Sequence, residues 1–282
     1  MNPRHPTQDA ADPAPPVRSH RPLGGARERA GGGPSSARER AGGSPSSGTL
    51  HLIPVGLGDA PPERWLPAEA RALAGRLDIY IAENAKVARA FLKGIGTVRP
   101  LQEIAIHTLD ERVRDDDIRA WLAPAAAGGE IGLVSDAGCP AVADPGARVA
   151  RAAHALGIRV RPWVGPSSIL LGLMASGLDG QRFAFHGYAP VDAAARQKQL
   201  RDWEQASARL DQTQMLIETP YRNDAMFGAL LAALKPDTLL CVARSLTTDD
   251  EWVQTHPVAA WKRRPAPALD RLPALFLFLA RR

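Results

Sequence analysis

Aromatic side chains are scarce in this chain: six Phe, three Tyr and six Trp among 282 residues, or 5%. A core must therefore be built from Ala, Leu, Val and Ile, in a composition that is 45% hydrophobic and 23% charged, an ordinary balance for a folded domain. Cysteine is scarcer still. Cys139 and Cys241 are too few for a disulfide framework or a thiolate metal site. Both lie in or beside apolar runs and read as small buried thiols, a usage that suits a reducing compartment. The seven histidines, at 5, 20, 51, 107, 154, 186 and 256, form no His-x-x-x-His pair, so metal ligation is not expected. No Gly-x-Ser-x-Gly elbow of a serine hydrolase is present. The longest apolar stretch, Trp163 to Leu178, is interrupted by Gly, Pro and Ser and is too short to span a bilayer. The N-terminus has no continuous apolar segment of the kind a secretory signal needs. A cytoplasmic protein without membrane contact is expected.

The net charge of +5 is unevenly placed. Residues 1–48 carry seven Arg against four acidic residues, so +3 of it lies there and only +2 on the remainder. Bulk charge on the body thus gives little support for a polyanionic partner, and counting does not locate a local basic patch. Residues 1–48 also repeat an eleven-residue unit, ARERAGGGPSS at 26–36 and ARERAGGSPSS at 37–47. Such a segment buries too little apolar surface to offset its ordering entropy and is expected to be disordered, either a loose basic tether or a dispensable extension.

From Thr49 onward short apolar runs alternate with amphipathic stretches, the pattern of repeated βα units. Strands are expected at 50–55, 78–82, 130–135 and 158–164, with helices at 67–75, 84–93, 115–126 and 146–156. A second set follows Gly165: a helix at 167–176, strands near 182–187, 213–218, 238–243 and 273–280, and helices at 193–209 and 221–234. Residues 244–262 read as hairpin-like. The expected fold is α/β with two lobes, 49–164 carrying a mostly parallel sheet and 165–282 a mixed one.

Open α/β sheets bind ligands at the carboxyl ends of their strands. The first strand ends in Pro54-Val55-Gly56-Leu57-Gly58-Asp59, which lacks both the third glycine of a dinucleotide fingerprint and the Gly-Lys-Ser/Thr of a phosphate loop. The strand at 130–135 runs into Ser135-Asp136-Ala137-Gly138-Cys139-Pro140, then Ala143-Asp144-Pro145-Gly146. Asp136 is read as a ligand carboxylate, accepting from ribose hydroxyls or facing a cation, and Asp144, before a proline suited to a first helical turn, as a helix cap. Gly165-Pro166-Ser167-Ser168 places two hydroxyls and free backbone N–H groups at a helix start, where they cap the helix or hold a carboxylate. The second lobe adds Glu218-Thr219-Pro220-Tyr221-Arg222 and Ala243-Arg244-Ser245-Leu246-Thr247 at strand ends.

Taken in order, the Ser-Asp-Ala-Gly-x-Pro…Asp-Pro-Gly block at 135–146, Gly-Pro-Ser at 165–167, Ser-Gly-Leu at 176–178, Glu-Thr-Pro-Tyr-Arg at 218–222 and Ala-Arg-Ser-Leu-Thr at 243–247 resemble the tetrapyrrole methylase superfamily. They are most similar to its ribosomal RNA 2′-O-ribose methyltransferase branch, which modifies a cytidine of the small-subunit RNA. The likeness covers about 49–280. It implies a homodimer, S-adenosylmethionine as methyl donor in the cleft between the lobes, and an RNA acceptor. It places donor contacts on Pro54 and Gly56, on Asp136, Ala137, Gly138 and Pro140, on Ser167 and Ser168, and on Thr219, Pro220, Leu246 and Thr247. The first lobe departs from the branch's pattern. Its first loop is shorter, Glu83-Asn84-Ala85-Lys86 stands where the branch has Glu-Asp-Thr-Arg, and Leu109-Asp110-Glu111 where it has His-Asn-Glu, as in a shorter paralogue.

A ribose hydroxyl is a weak nucleophile and benefits from a general base. The candidates are Glu83, Asp110, Glu111 and Glu218, while Lys86, Arg89 and Arg222 are candidates to hold an RNA backbone. Two other readings stay open: a methyltransferase acting on a tetrapyrrole or other small molecule, and a non-catalytic RNA-binding module that keeps the fold.

Overall fold

The structure, a computed structural model, describes residues 48–281, so the tail expected over 1–48 lies outside the described residues except for Gly48. The first sheet holds β1 (Thr49–Leu52), β2 (Ile79–Ala82), β3 (Ala105–Thr108), β4 (Glu130–Val134) and β5 (Arg159–Pro162). All its pairings are parallel, in the order β3-β2-β4-β1-β5. Its central strands are mostly apolar, with the buried His51 an exception in β1, because both faces are covered. Helices α1 (Ala68–Arg76) and α2 (Ala85–Ile95) pack with Tyr80 and Ala82 on one face. Helices α3 (Asp115–Ala126) and α4 (Gly146–Ala155) pack with Leu50, Ile81, Ile131 and Leu133 on the other. Each such fully buried Leu or Ile contributes about 1.5–3 kcal/mol relative to exposure.

Strand β3 was not expected from the sequence. It is one of the sheet's two edges, and Ala105 and Thr108 are exposed; unlike β5, the other edge, which adjoins Ile158, Trp163 and Val164, it has little apolar sequence around it to betray it. Helix α2 starts where the sequence departs from the family pattern. Asn84 is its N-cap, and Asn84 Oδ1 accepts from the backbone N–H groups of Lys86 (2.9 Å) and Val87 (3.4 Å), satisfying two of the helix's free donors. Glu83 therefore stands between the end of β2 and a fixed helix start.

The second sheet is mixed. It holds β6 (Phe183–Tyr188), β7 (Thr213–Ile217), β8 (Leu239–Arg244), β9 (Trp252–Pro257) and β10 (Ala274–Leu279), in the order β6-β7-β10-β8-β9. Only β6 and β7 run parallel. Helices α6 (Ala193–Leu210), α7 (Asn223–Ala233) and α8 (Val258–Trp261) cover one face over Leu216, Val242, Phe276 and Phe278. Helix α5 (Ser168–Ser176) lies on the other, against Met215, Cys241, Ala243 and Leu275. Strands β8 and β9 form an antiparallel pair, in keeping with the hairpin character of 244–262.

In the first sheet β1 and β4 are neighbours, yet α1, which follows β1, packs on one face and α4, which follows β4, on the other. Loops that leave adjacent strands toward opposite faces leave a crevice at the strands' carboxyl ends.

Candidate functional site

A cavity of about 350 Å³ lies at that crevice. From the first sheet its wall takes Leu57 after β1, Glu83 after β2, and Ser135–Cys139 with Val142–Asp144 after β4. Ser167, Ser168 and Ile169 enter from the start of α5, and Phe185, Tyr188, Ile217, Glu218, Pro220, Ala243, Leu246 and Pro273–Leu275 from the second sheet and its loops.

Backbone contacts hold these loops in register. Val55 N donates to Gly138 O at 2.9 Å and Gly138 N donates to Val55 O at 3.0 Å. Gly138 has φ +73°, a conformation glycine adopts without the steric cost a side chain would bring. Ser135 Oγ donates to the carbonyls of Ala137 (3.1 Å) and Gly138 (3.3 Å), and Cys139 Sγ donates to Pro166 O at 3.4 Å. A Cβ on Gly165 would stand 2.3 Å from Pro54 Cβ, so the loops after β1 and β5 touch only because residue 165 has no side chain. Leu57 packs against the cluster on the second sheet that contains Met215, Ala243, Leu246 and Leu275.

The polar part of the wall is one-signed. Glu83, Asp136, Asp144 and Glu218 line it, and among the described residues no Lys, Arg or His does. Burial raises the Glu83 carboxyl above the usual carboxylate range, and the neighbouring Asp144 and Asp136 raise it further. Burial likewise raises Asp136 and Asp144, the latter against the pull of two backbone donors. Those donors are Gly146 N at 2.7 Å and Ala141 N at 2.8 Å, both to Asp144 Oδ1. Asp144 thus braces the turn that enters α4, but the N-cap position read for it from the sequence belongs to Pro145, with no side-chain cap; Asp144 instead lines the cavity. Ala141 and Ala143 hold φ values of +68° and +61°, a conformation unfavourable for a side-chain-bearing residue and concentrated at functional loops. Glu218 differs from the other three: its Oε1 accepts from Thr219 N at 2.7 Å and from an Arg222 guanidinium nitrogen at 2.5 Å. Ser167 occupies the N-cap position of α5, but its side chain makes no capping bond, which leaves the hydroxyl available to a ligand.

Of the donor contacts expected from the sequence, Asp136, Ala137, Gly138, Ser167, Ser168, Pro220 and Leu246 line the cavity. Pro54, Gly56, Pro140, Thr219 and Thr247 stand outside its wall. Pro54 is packed on Gly165, and Gly56 faces the Trp65 ring. Pro140 is buried. The Thr219 backbone N–H is spent on Glu218. Thr247 has φ +71°; its N–H donates to Glu251 Oε2 at 2.8 Å, and its buried Oγ1 has no partner among the described residues. Of the candidate bases, Glu83 and Glu218 reach the cavity. Asp110 and Glu111 are exposed, and Asp110 Oδ1 accepts from Arg112 N in a local turn. Lys86, Arg89 and Arg222 do not line the cavity either.

Sequence reasoning missed the apolar wall formed by Phe185, Tyr188, Ile217, Ala243 and Leu275. The general preference for the carboxyl ends of strands pointed toward Ile217 and Ala243, and nothing local singled out the others. Cys139 is half-buried on the cavity wall and not in a core, whereas Cys241 is buried and its thiol is pushed up to about 11. Among the described residues no group of three or more His, Cys, Asp or Glu could hold a metal ion, and no helix is long and apolar enough to cross a membrane.

Comparison with known proteins places this geometry. The family model of tetrapyrrole (corrin/porphyrin) methylases matches residues 49–260. The chain is 34% identical over 222 residues to a ribosomal RNA small subunit methyltransferase I of Xylella fastidiosa, covering 78% of this chain and 76% of the relative. It is 32% identical over 200 residues to the protein of the same name from Neisseria meningitidis serogroup B, covering 71% of this chain. The chain spans only 64% of that relative's length. Among solved structures, the methyltransferase CobJ superposes with a TM-score of 0.54 at 22% identity, covering 83% of this chain and 95% of CobJ; that likeness speaks to the fold alone. With a five-stranded parallel sheet, a mixed second sheet and a family match across both of them, the chain belongs to the tetrapyrrole methylases.

Proposed function

We propose that this protein is an S-adenosylmethionine-dependent methyltransferase whose acceptor is a ribose hydroxyl of ribosomal RNA, with 49–164 and 165–282 acting as two lobes around the donor. The observation that carries this reading is the cavity itself: four loops of the first lobe and its junction meet the second sheet around a wall with four carboxylates and, among the described residues, no cation. Such a wall suits a sulfonium nucleoside and is hostile to a phosphate-bearing cofactor. A volume of about 350 Å³ falls at the small end of the ~300–1,000 Å³ typical of ligand clefts.

In this reading Asp136 accepts from the donor's ribose hydroxyls. The Ser167 and Ser168 hydroxyls, with the free N–H groups of the first turn of α5, hold its carboxylate. Leu57, Ile217, Leu246 and Leu275 exclude water. Bound there, the donor supplies a methyl group for in-line displacement by an acceptor oxygen. Glu83 takes the proton of the acceptor hydroxyl onto its carboxylate. It is favoured over Glu218, whose oxygen is already held by Arg222 and Thr219, and over Asp110 and Glu111, which lie away from the cavity. The raised affinity of Glu83 for a proton suits a base working near neutral pH. Tyr188, exposed on the cavity wall, offers a ring against which an acceptor base can stack.

The names of the relatives support the ribosomal RNA acceptor, with cytidine as the base to be tested first. A homodimer belongs to the same reading: α5 leaves Leu170 and Met174 exposed four residues apart, with the exposed Val164 ahead of the helix, an apolar face that a second copy would cover.

Two measurements test the proposal. Calorimetry with S-adenosylmethionine is expected to give saturable binding; none at near-millimolar donor would leave a non-catalytic RNA-binding module. Transfer of a tritiated methyl group is expected into small-subunit ribosomal RNA. Label appearing only in a small-molecule extract would transfer the assignment to a tetrapyrrole or similar acceptor.

A further inference from the structure

We propose that the outer face of the second sheet carries a separate nucleotide-binding site, built by Arg244, Trp252, Gln254, Trp261 and the segment from Arg264 to Ala268. A second cavity of about 290 Å³ is lined by these residues. It stands apart from the methyl-donor cavity because of strand alternation, which sends successive side chains to opposite faces. Ala243 faces the donor cavity, and its neighbour Arg244 faces this one. Arg244 and Trp252 are directly paired across β8 and β9, and Gln254, two residues along, shares their face.

The chemistry of the wall is aromatic and cationic. The Arg244 guanidinium lies 5.5 Å from the centre of the Trp252 ring, and its buried Nε has no hydrogen-bond partner among the described residues. Trp261 is nearly fully buried; its indole N–H donates to Leu240 O at 2.8 Å, so its ring is a rigid floor and not a mobile arm. Lys262, Arg263 and Arg264 follow as three consecutive exposed cations. Neither Arg244 nor any of these three has a carboxylate ion-pair partner among the described residues. Cations left unpaired beside a tryptophan wall are suited to a phosphate and a base together: the guanidinium groups meet the anion and the rings offer a stacking surface. This is also the local basic patch that counting charges could not locate. Arg264–Ala268 lie beyond the family match at 49–260, and Arg244, Trp252 and Gln254 lie within it. Since β9 is the edge strand of its sheet, the cavity is open to a single strand approaching from the side.

The ligand is a nucleotide unit, supplied by single-stranded RNA or as a free mononucleotide. The test uses the full chain, with labelled hexaadenylate in an anisotropy titration and AMP and inorganic phosphate as competitors. The variants are Arg263→Glu/Arg264→Glu, which alters only exposed side chains, and Trp252→Leu. Wild type is expected to bind hexaadenylate saturably. Each variant should raise Kd at least tenfold, and the double variant should flatten the salt dependence by about 1.4 in log Kd per log salt for two lost phosphate contacts. S-adenosylmethionine binding, read by calorimetry, should stay unchanged in both; this separates failure of this site from failure of the donor site. The seven arginines of residues 1–48 are common to all forms and cancel from the comparison. Competition by AMP at concentrations near its own Kd would make the ligand a free nucleotide, and tight binding of the hexamer alone would make it RNA. The proposal is overturned if wild type binds neither probe up to millimolar concentration, if the double variant keeps wild-type affinity, or if inorganic phosphate competes as well as AMP.

Discussion

Val55 and Gly138 exchange both of their backbone hydrogen bonds, at 2.9 and 3.0 Å, and this two-residue bridge ties the loop after β1 to the loop after β4. β1 and β4 pair in parallel, whereas Val55 and Gly138 meet as an isolated antiparallel bridge: the chain after β4 doubles back before it meets the loop after β1, and Asp136 and Leu57 both line the cavity. A site organised by backbone bonds tolerates side-chain changes on its wall without collapsing, so substitutions there report on chemistry.

Asp136→Ala is expected to weaken S-adenosylmethionine binding by about 10- to 100-fold, since hydrogen bonds to a charged acceptor are worth about 1.5–3 kcal/mol. Isothermal calorimetry measures this directly. Unaltered affinity would remove Asp136 from the donor site.

Glu83→Gln should leave donor affinity within about threefold and lower kcat by about 10²- to 10⁴-fold, the range for loss of a general base. In the wild type, kcat should rise with pH through a limb lying above the ordinary carboxylate range, because burial and the two aspartates favour the protonated form. Stability follows the opposite sign. A carboxyl with a raised folded pKa contributes stability below its unfolded pKa and loses that contribution as pH rises through the folded value. Glu83→Gln should therefore gain stability relative to wild type as pH increases. A flat pH–rate profile in the wild type would argue against Glu83.

Gly165→Ala places a methyl group against Pro54 Cβ and should cost about 1–3 kcal/mol, as overpacking does. Thermal denaturation reads the loss, and donor binding should weaken with it because the two loops must part. The double variant Gly165→Ala/Pro54→Gly should recover much of both; if donor affinity is insensitive to either change, the contact is not what seats the loops.

Arg222→Met strands the buried Glu218 carboxylate, whose partner it removes. A fully buried pair would lose about 3–5 kcal/mol, and with Arg222 about one-third exposed a loss of about 2 kcal/mol is expected. Adding Glu218→Gln should restore part of it, so that urea titration of the double variant shows less than the sum of the single losses.

Met174→Glu puts a charge on the exposed side of α5, where Met174 is 79% accessible. Sedimentation velocity should find a dimer in the wild type and a monomer in the variant, with little change in melting temperature. A monomeric wild type would end the dimer proposal.

Much of this molecule was legible in one dimension. The strands at 50–55, 130–135 and 238–243 declared themselves because burial on both faces favours short runs dominated by Val, Ile and Leu without polar alternation, and α3 declared itself through a run of acids at its start and apolar residues at helical spacing. Asp136, Ser167 and Ser168 were identifiable because chemistry-bearing residues after a buried strand have few structural reasons to be there. Edge strand β3 was hidden, since it has two exposed positions and little apolar sequence around it.

What the chain alone determined, then, was which loops carry polar groups and at which strand ends they sit. Only the tertiary structure decided which of those groups meet. Glu83 joins Asp136 and Asp144 while Asp110 and Glu111 point elsewhere, because strand order in a sheet is set by long-range pairing that no local segment encodes. The apolar half of the cavity was beyond reach for the same reason. Phe185, Tyr188 and Leu275 line it only because a second sheet, formed by residues more than a hundred positions after β1, docks against the loop containing Leu57 and buries the surface that neither sheet could bury by itself.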